Sequence, residues 1–548
     1  MTLLDFDRKN IASDAGAGLT AGLVAIPDAI ASAILAGVNP TFGFNAYMVG
    51  MPVGALFTGS QFMNCALTSA MMLAVGGVVA GASDVDPISL IVTLSILVGL
   101  FQLLLGVLKL GGLIRFISNA VMTGFFTGIA VIIILSQLGA LTGYESEASG
   151  NVARAIDLLF NLDHINWPSL VIGLVTIGII FLLARTRFKN FGLIIALLVA
   201  SAAVSLLGLE SVNLVGDSYE ISGAFPLPAL PSLALVPQLL LPAIAIGLIG
   251  LIQAAGVSQG IPNPDGTYAD PSRDFTGQGI ANTVTGFFRG LPVGGSLAGT
   301  ALIIGAKAKS RWANVFAGII FAALILLFGN LVEMVADPAI AGLLIVAGIG
   351  TINRERVADV WDVGMGPRAI MAFTFVATLL LPVQWAVLLG VVLSFLIYVV
   401  RTSSDIEVKQ VVPQTDDTFR EQPAPEQLSD NAVTVLQVWG NLFFSGAFTL
   451  GERLPEVGEA RRAVVILRLR GRSQIGSTMV RVLERYAQQL QANGGKLILA
   501  GVGEHVLEQL RKTETTETIS EEDIFMATET LGGATVEALA AAEKWLEK

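Results

Sequence analysis

Two short stretches set small, polar and helix-breaking residues inside otherwise apolar sequence: Thr58-Gly59-Ser60-Gln61-Phe62-Met63-Asn64-Cys65 and Gly290-Leu291-Pro292-Val293-Gly294-Gly295-Ser296. Each leads into a short helical run. A helix that starts at mid-membrane leaves backbone N–H groups unbonded and brings a partial positive charge, and both suit an anion. Non-helical backbone at that depth persists only beside a cavity or inside protein. The candidate anion contacts are therefore Cys65, Ala66, Thr68 and Ser69 at the first stretch, and Ser296, Leu297, Ala298, Gly299 and Thr300 at the second. A plainer reading, in which the small residues only let helices pack closely, accounts for the glycines but not for the paired Pro, Gly and Asn interruptions.

Asp28 is the acid placed deep in an apolar run, Gly18 to Val38, directly after Pro27. An intramembrane carboxylate is expensive and is a functional candidate by default. Pro27 is expected to break the helix and free backbone groups. A carboxyl short of hydration can take up and release a proton in step with an anion, which makes Asp28 the candidate proton-coupling group; the alternative is a carboxyl that only ties the broken helix. Gln253 is the matching polar group in a later apolar run and a further candidate anion contact, able to hydrogen-bond but not to titrate. The single cysteine, Cys65, excludes an internal disulfide, and His164 and His505 form no metal-ligand spacing, so neither a metal nor a cofactor is expected. No nucleophile with its base and no phosphate loop is present, which argues against an enzyme.

These groups need a membrane scaffold to position them. Of 548 residues, 53% are hydrophobic and only 14% charged, and the apolar character stops near Arg401. Reading apolar runs against Gly, Pro and charged breaks gives about fourteen segments. The two interrupted stretches fall at the third and the tenth, equivalent places in two sets of seven, which points to an inverted repeat with the site between its halves. With a cytoplasmic N-terminus, the inward loops hold Lys109, Arg115, Arg185, Arg187, Lys189, Arg273, Lys307, Lys309, Arg311, Arg354, Arg356 and Arg368, against Arg154 and Arg289 outside. That bias places both termini in the cytoplasm of a multi-pass inner-membrane protein. The polar start runs into a segment too long for a signal peptide, and the outward stretch 141–168 reads as a solvated loop.

Residues 1–402 carry a net charge of −4 and 403–548 a net −7. An acidic tail argues against nucleic acid as a partner. The Pro/Gln/Asp-rich stretch 403–429 reads as a mobile linker, and 430–548 as a soluble domain. Strand-like VTVLQVWG from Val433, AVVILRLRG from Ala463 and KLILAG from Lys496, with helices from Ser477 and after the third strand, give a mixed α/β order.

Ala21-Gly22-Leu23-Val24-Ala25-Ile26-Pro27, SNAVMTGFFTGIAVIIILSQLGALTG from Ser118 and GQGIANTVTGFFRGLPVGGSLAGTA from Gly277 together resemble the sulfate permease (SulP) family. The resemblance implies fourteen segments as two inverted seven-helix repeats with two half-helices, an anion held between the starts of the third and tenth helices, and a homodimer in the lipid bilayer. It implies secondary active transport of a small anion: sulfate, bicarbonate or a dicarboxylate. Two departures stand out. Many members have a Ser-Arg pair where this chain has Ala298-Gly299, and many have a carboxylate where Gln253 stands, as the sodium-coupled bicarbonate members do. From Asp430 the chain resembles a sulfate transporter and anti-sigma-factor antagonist (STAS) domain, which implies a regulatory surface with a possible cytoplasmic partner. Soluble relatives open one helix with an Asp-Ser pair; here it is Gly476-Ser477, so Ser477 is expected to be a helix N-cap. A nucleobase permease of the same fold, or a membrane sensor signalling through the STAS domain, are the alternatives.

Overall fold

In lipid every backbone N–H and C=O must be satisfied within the chain, so the apolar runs become helices. The computed structural model describes residues 10–82, 84–112, 118–221, 224–404, 406–414, 419–440, 442, 445–472 and 474–548. Arg115 and the polar start of the chain lie outside the described residues. The chain divides between Ser394 and Phe395 into two compact units.

The first unit opens with α1 (Ile11–Leu35). A second segment follows, built of α2 (Pro40–Asn45), a π-helical turn Ala46–Gly50 and α3 (Met51–Phe57). Strand β1 (Asn64–Ala66) leads to α4 (Ser69–Ala80), then α5 (Pro87–Val107), α6 (Asn119–Thr142), α7 (Asn151–Phe160), α8 (Trp167–Ala184), α9 (Gly192–Leu207) and the single turn α10 (Val215–Ser218). The second half holds α11 (Val236–Gly260), α12 (Pro271–Phe287), β2 (Gly294–Ser296), α13 (Leu297–Gly305), α14 (Trp312–Phe328), α15 (Asp337–Thr351), α16 (Arg354–Val363), α17 (Met365–Leu380) and α18 (Val383–Ser404), which runs across the division. Apart from α7, α10 and α16, these make fourteen membrane segments among the described residues. Seven helices are long and apolar enough to cross a bilayer.

Packing repeats when each segment is exchanged with the one seven later. The first segment, α1, packs on the eleventh, α14, as the eighth, α11, packs on the fourth, α5. Likewise α12 packs on α5 as α3 packs on α14, and α17 on α6 as α8 on α15. The α5/α12 contact is backbone to backbone. A Cβ at Gly99 would lie 2.4 Å from Thr283 N, one at Gly106 2.4 Å from Thr276 Oγ1, and one at Gly279 2.4 Å from Leu103 N. Small residues spaced to one helix face permit this approach, and with no hydrophobic drive in lipid such packing holds helices together.

Two expectations are corrected here. The α1 helix runs unbroken through Pro27, as membrane helices can when neighbouring helices surround them; Gly18 and Gly22 seat it against α14, where a Cβ at Gly18 would lie 2.7 Å from Phe316 Cβ. The stretch 141–168 contains the helix α7 and not only a loop. Its Asp157 accepts hydrogen bonds from Tyr144 (2.9 Å) and Ser146 (2.6 Å), which fold the preceding chain back onto it.

The second unit is built on a six-stranded sheet of β3 (Glu407–Pro413), β4 (Phe419–Pro423), β5 (Val433–Trp439), β6 (Val464–Arg468), β7 (Lys496–Val502) and β8 (Ile524–Met526), in the order β4-β3-β5-β6-β7-β8. The run β5-β6-β7-β8 is parallel and β3 is antiparallel to both its neighbours. Alternation puts Val465 and Leu467 in one core with α19 (Ser445–Arg453), α20 (Ser477–Ala492) and α21 (Glu504–Lys512). Val464 and Ile466 face α22 (Gly533–Leu546) on the other side. The stretch expected as a mobile linker instead supplies β3 and β4. Its Val408 and Val411 find apolar neighbours in the two cores, which a composition rich in Pro and Gln conceals. Ser477 is not an N-cap: Gly476 occupies that position and no side chain caps the helix.

Candidate anion-binding site

Strands β1 and β2 pair antiparallel, Asn64 opposite Ser296, Cys65 opposite Gly295 and Ala66 opposite Gly294. Each runs directly into a short helix, so the starts of α4 and α13 are brought to one place from opposite halves of the repeat. Two asparagines hold the chain leading into the strands. Fully buried Asn314 on α14 donates to the carbonyls of Phe62 (3.3 Å) and Met63 (3.2 Å) and accepts from Asn64 Nδ2 (2.7 Å). Asn282 on α12 clamps Val293, accepting from its N–H at 2.6 Å and donating to its C=O at 2.8 Å. A carboxamide mimics a strand neighbour for chain that no helix or sheet satisfies.

The expected contacts divide between those at exposed or half-buried positions or bonded to Gln253 and those consumed by the framework. Thr68, the N-cap of α4, makes no capping bond; its hydroxyl donates to Gln253 Oε1 at 2.8 Å, so Gln253 on α11 joins the site. Ser69 opens α4 and is half-buried, while Leu297 and Ala298 open α13 exposed. Ser296 caps α13, its Oγ accepting from Gly299 N at 3.0 Å, which leaves the N–H groups of Leu297 and Ala298 as that helix's free donors. Thr300 is fully buried and occupied: its hydroxyl donates to Ser296 O (2.6 Å) and accepts from Asn64 N (3.0 Å). Cys65 is also fully buried, its side chain so close to α3 that a Cβ at Gly54 would lie 2.4 Å from Sγ. Ala66 is buried in the strand pair opposite Gly294.

Asp28 accepts a hydrogen bond from the hydroxyl of Tyr47. The turn Ala46–Gly50 that carries Tyr47 packs on β1, the strand leading into α4, so Tyr47 links Asp28 to that element. Tyr47 lies in the π turn, which Pro52 explains: it has no N–H to give back to the preceding turn, and the helix widens there. Sequence reasoning missed Tyr47; the Pro52 following a run of aromatic and small residues was the available signal. Below the strands, fully buried Asp274 accepts from Ser60 N (2.9 Å), Ser60 Oγ (2.8 Å) and Ser258 Oγ (2.5 Å). That group also went unread, its sequence neighbours being those of a helix start. Among the described residues no three His, Cys, Asp or Glu side chains gather as a metal site.

The profile described as "Sulfate permease family" matches residues 11–374, well over half of the chain. The chain belongs to the sulfate permease family. A STAS domain profile matches residues 424–531. Among relatives of this sulfate permease family chain, a probable sulfate transporter 4.2 of Arabidopsis thaliana is 26% identical over 540 residues, covering 94% of this chain and 79% of that one. The bicarbonate transporter BicA of a Synechocystis species is 24% identical over 529 residues, covering 94% and 93%. The structure of the murine Solute Carrier 26 family member A9 anion transporter in the inward-facing state matches with a TM-score of 0.85 at 18% identity, covering 98% of this chain and 92% of that chain. It shares the fold, a multi-pass helical membrane domain followed by an α/β STAS domain.

Proposed function

We propose that this protein moves a small anion, sulfate, bicarbonate or a dicarboxylate, across the inner membrane by secondary active transport, coupled to protons through Asp28. One observation supports this above the others: the β1/β2 pair, which sets two helix N-termini from the two halves at one place. Their dipoles and the free N–H groups of Leu297 and Ala298 suit a negative charge. No fixed cation stands among Thr68, Ser69, Gln253 and Ser296 to Gly299, so binding rests on backbone and hydroxyl donors and is modest in affinity. Gln253 adds a neutral carboxamide that does not repel an anion. The relatives named as sulfate and bicarbonate transporters support the substrate class.

Asp28 couples because an ionised carboxyl and an anion oppose one another near the same helix start, whereas a protonated one does not. Proton and anion then favour each other's binding, and the linkage is reciprocal. In the same reading both termini face the cytoplasm, two copies associate as a homodimer, and the STAS domain modulates transport through a cytoplasmic partner.

The test is uptake into liposomes carrying the purified protein, with labelled sulfate, bicarbonate and fumarate, with and without an inward proton gradient. Wild type accumulates its anion uphill under the gradient, and Asp28→Asn only equilibrates it. An Asp28→Asn protein that still concentrates the anion overturns the coupling. Absence of flux for all three anions overturns transport in favour of ligand sensing.

A further inference from the structure

The Asp28 carboxyl meets the site through another side chain. Tyr47 is 2% exposed, its hydroxyl donates to Asp28 Oδ2, and the turn that carries it packs on β1, the strand leading into α4. Its ring is fixed in place against Phe321, with centroids 5.3 Å apart, and Phe321 in turn packs on Phe44 at 6.2 Å. The hydroxyl is therefore held on the Asp28 carboxyl by a residue of the π turn, which itself packs on β1.

We propose that Tyr47 transmits the protonation state of Asp28 to the anion site. A phenol has one hydrogen to give. While Asp28 is ionised, its charge-assisted bond, roughly twice as strong as a neutral one, keeps that hydrogen on the carboxylate. When Asp28 takes up a proton from the acidic side, it becomes a neutral and weaker acceptor. The hydroxyl then turns its hydrogen to the anion at the start of α4, adding a donor where the chain has no arginine. Tyr47 keeps its own proton throughout, and the transported proton rides on Asp28. The site thus gains a hydrogen bond and loses a repelling charge in one event.

Few charged groups lie on the elements packed around this pair; α12, packed on the turn of Tyr47, carries Arg273 and Asp274. On α1 itself Ser32 interacts with Asp28, and Asp14 at the far end is bound to Lys309 N (2.7 Å) and Ser310 Oγ (2.6 Å). Of the elements packed on α1, the helices α4, α9, α13 and α14 carry no Asp, Glu, His, Lys or Arg. The helix α15 carries Asp337 at its first residue, and the turn Lys189–Phe191 carries Lys189.

The inference rests on the coupling role of Asp28, and its test separates the two. Tyr47→Phe keeps the ring against Phe321 and removes only the hydroxyl. Apparent affinity is measured at acidic and alkaline pH in the liposome assay, with whichever of sulfate, bicarbonate and fumarate the wild type carries. Tyr47→Phe should bind the anion about tenfold more weakly than wild type at acidic pH, the worth of one hydrogen bond to a charged group, and match it at alkaline pH, where the hydroxyl serves Asp28. In Asp28→Asn the dependence on pH should vanish, and adding Tyr47→Phe to it should weaken binding at every pH. If Asp28→Asn abolishes accumulation while Tyr47→Phe keeps the wild-type pH dependence, Asp28 acts directly and the Tyr47 inference fails alone. A Tyr47→Phe defect of equal size at both pH values shows a structural role and overturns it too. If Asp28→Asn still accumulates the anion, both readings fail together.

Discussion

Gly299 leaves no room for a side chain beside Asn64: a Cβ there would lie 2.4 Å from Asn64 Oδ1 and 2.8 Å from its Cγ. Asn64 cannot give way, because its Nδ2 is bound to Asn314 at 2.7 Å and its N–H to Thr300 at 3.0 Å. Even Gly299→Ala should push α13 off the strand pair, at a cost of about 1–3 kcal/mol. We expect a lower melting temperature in detergent together with lost flux, and a larger drop for Gly299→Leu. A bulky residue here is a lesion in the framework before it is a plug in the cavity. Normal melting of Gly299→Leu with blocked flux would show the opposite.

The bond from Thr68 to Gln253 ties the N-cap of α4 to α11. Gln253→Ala removes the acceptor that orients the hydroxyl and a carboxamide donor beside the anion. Each such bond is worth about 0.5–1.5 kcal/mol, so the anion KM should rise roughly three- to tenfold with little change in melting temperature. Thr68→Val should behave alike, and the double variant should be far from additive because both act on one contact. Unchanged KM in Gln253→Ala would remove Gln253 from the site.

Much of this was legible in the sequence because lipid makes helices long, apolar and countable, and because the interrupted stretches at Asn64 and Gly294 carry Gly and Pro where helices cannot. What stayed hidden follows from three-dimensional proximity. Thr300 reads as a free hydroxyl until its bonds to Ser296 and Asn64 are seen. Tyr47 reads as one more aromatic in an apolar run. Pro27 reads as a break, yet α1 continues through it to Leu35. Strands β3 and β4 were obscured because each ends in a proline, Pro413 and Pro423, and because β4 is an edge strand, which tolerates Pro and charge that sequence patterns assign to loops.

Those strands set where the chain can be cut. Removing residues from 430 onward would leave β3 without β5, its partner from Glu407 to Gln410, and expose an unpaired edge. Ending the chain at Ser404 removes the whole sheet. We expect the shorter chain to express as a monodisperse protein and the one ending at Ser429 to aggregate, as size-exclusion chromatography would show. Equal behaviour of the two would mean that β3 and β4 do not depend on the rest of the sheet.

The Asp157 carboxyl is held below its usual range by the hydrogen bonds from Ser146 and Tyr144. A carboxyl depressed in the folded state contributes stability that is present above its unfolded pKa and is lost as pH falls through the folded one. Amide exchange protection of 144–160, corrected for intrinsic rate, should therefore stay level near neutral pH and fall only below about pH 4. In Asp157→Asn it should be low throughout. Loss of protection already near neutral pH would show that these bonds do not hold α7.

Asn282 is fully buried and uses both ends of its carboxamide, accepting from Val293 N and donating to Val293 O and Gln102 Oε1, each donor bond 2.8 Å. Gln102, also fully buried, donates onward to Gly247 O at 3.1 Å. Asn282→Ala strands three polar groups at a depth where no water replaces the lost partner. At about 1–3 kcal/mol for each unsatisfied group, the protein should lose several kcal/mol, seen as a steep fall in melting temperature. Asn282→Asp keeps the shape but turns two donors into acceptors facing the Val293 carbonyl and the Gln102 oxygen, and should be at least as damaging. Adding Gln102→Leu to Asn282→Ala removes one stranded group, so the pair should melt higher than the sum of the single losses. Because Val293 leads straight into β2, the same variants should weaken anion uptake in step with stability. An Asn282→Ala protein with native melting and full flux would show that β2 is positioned by its pairing with β1 alone.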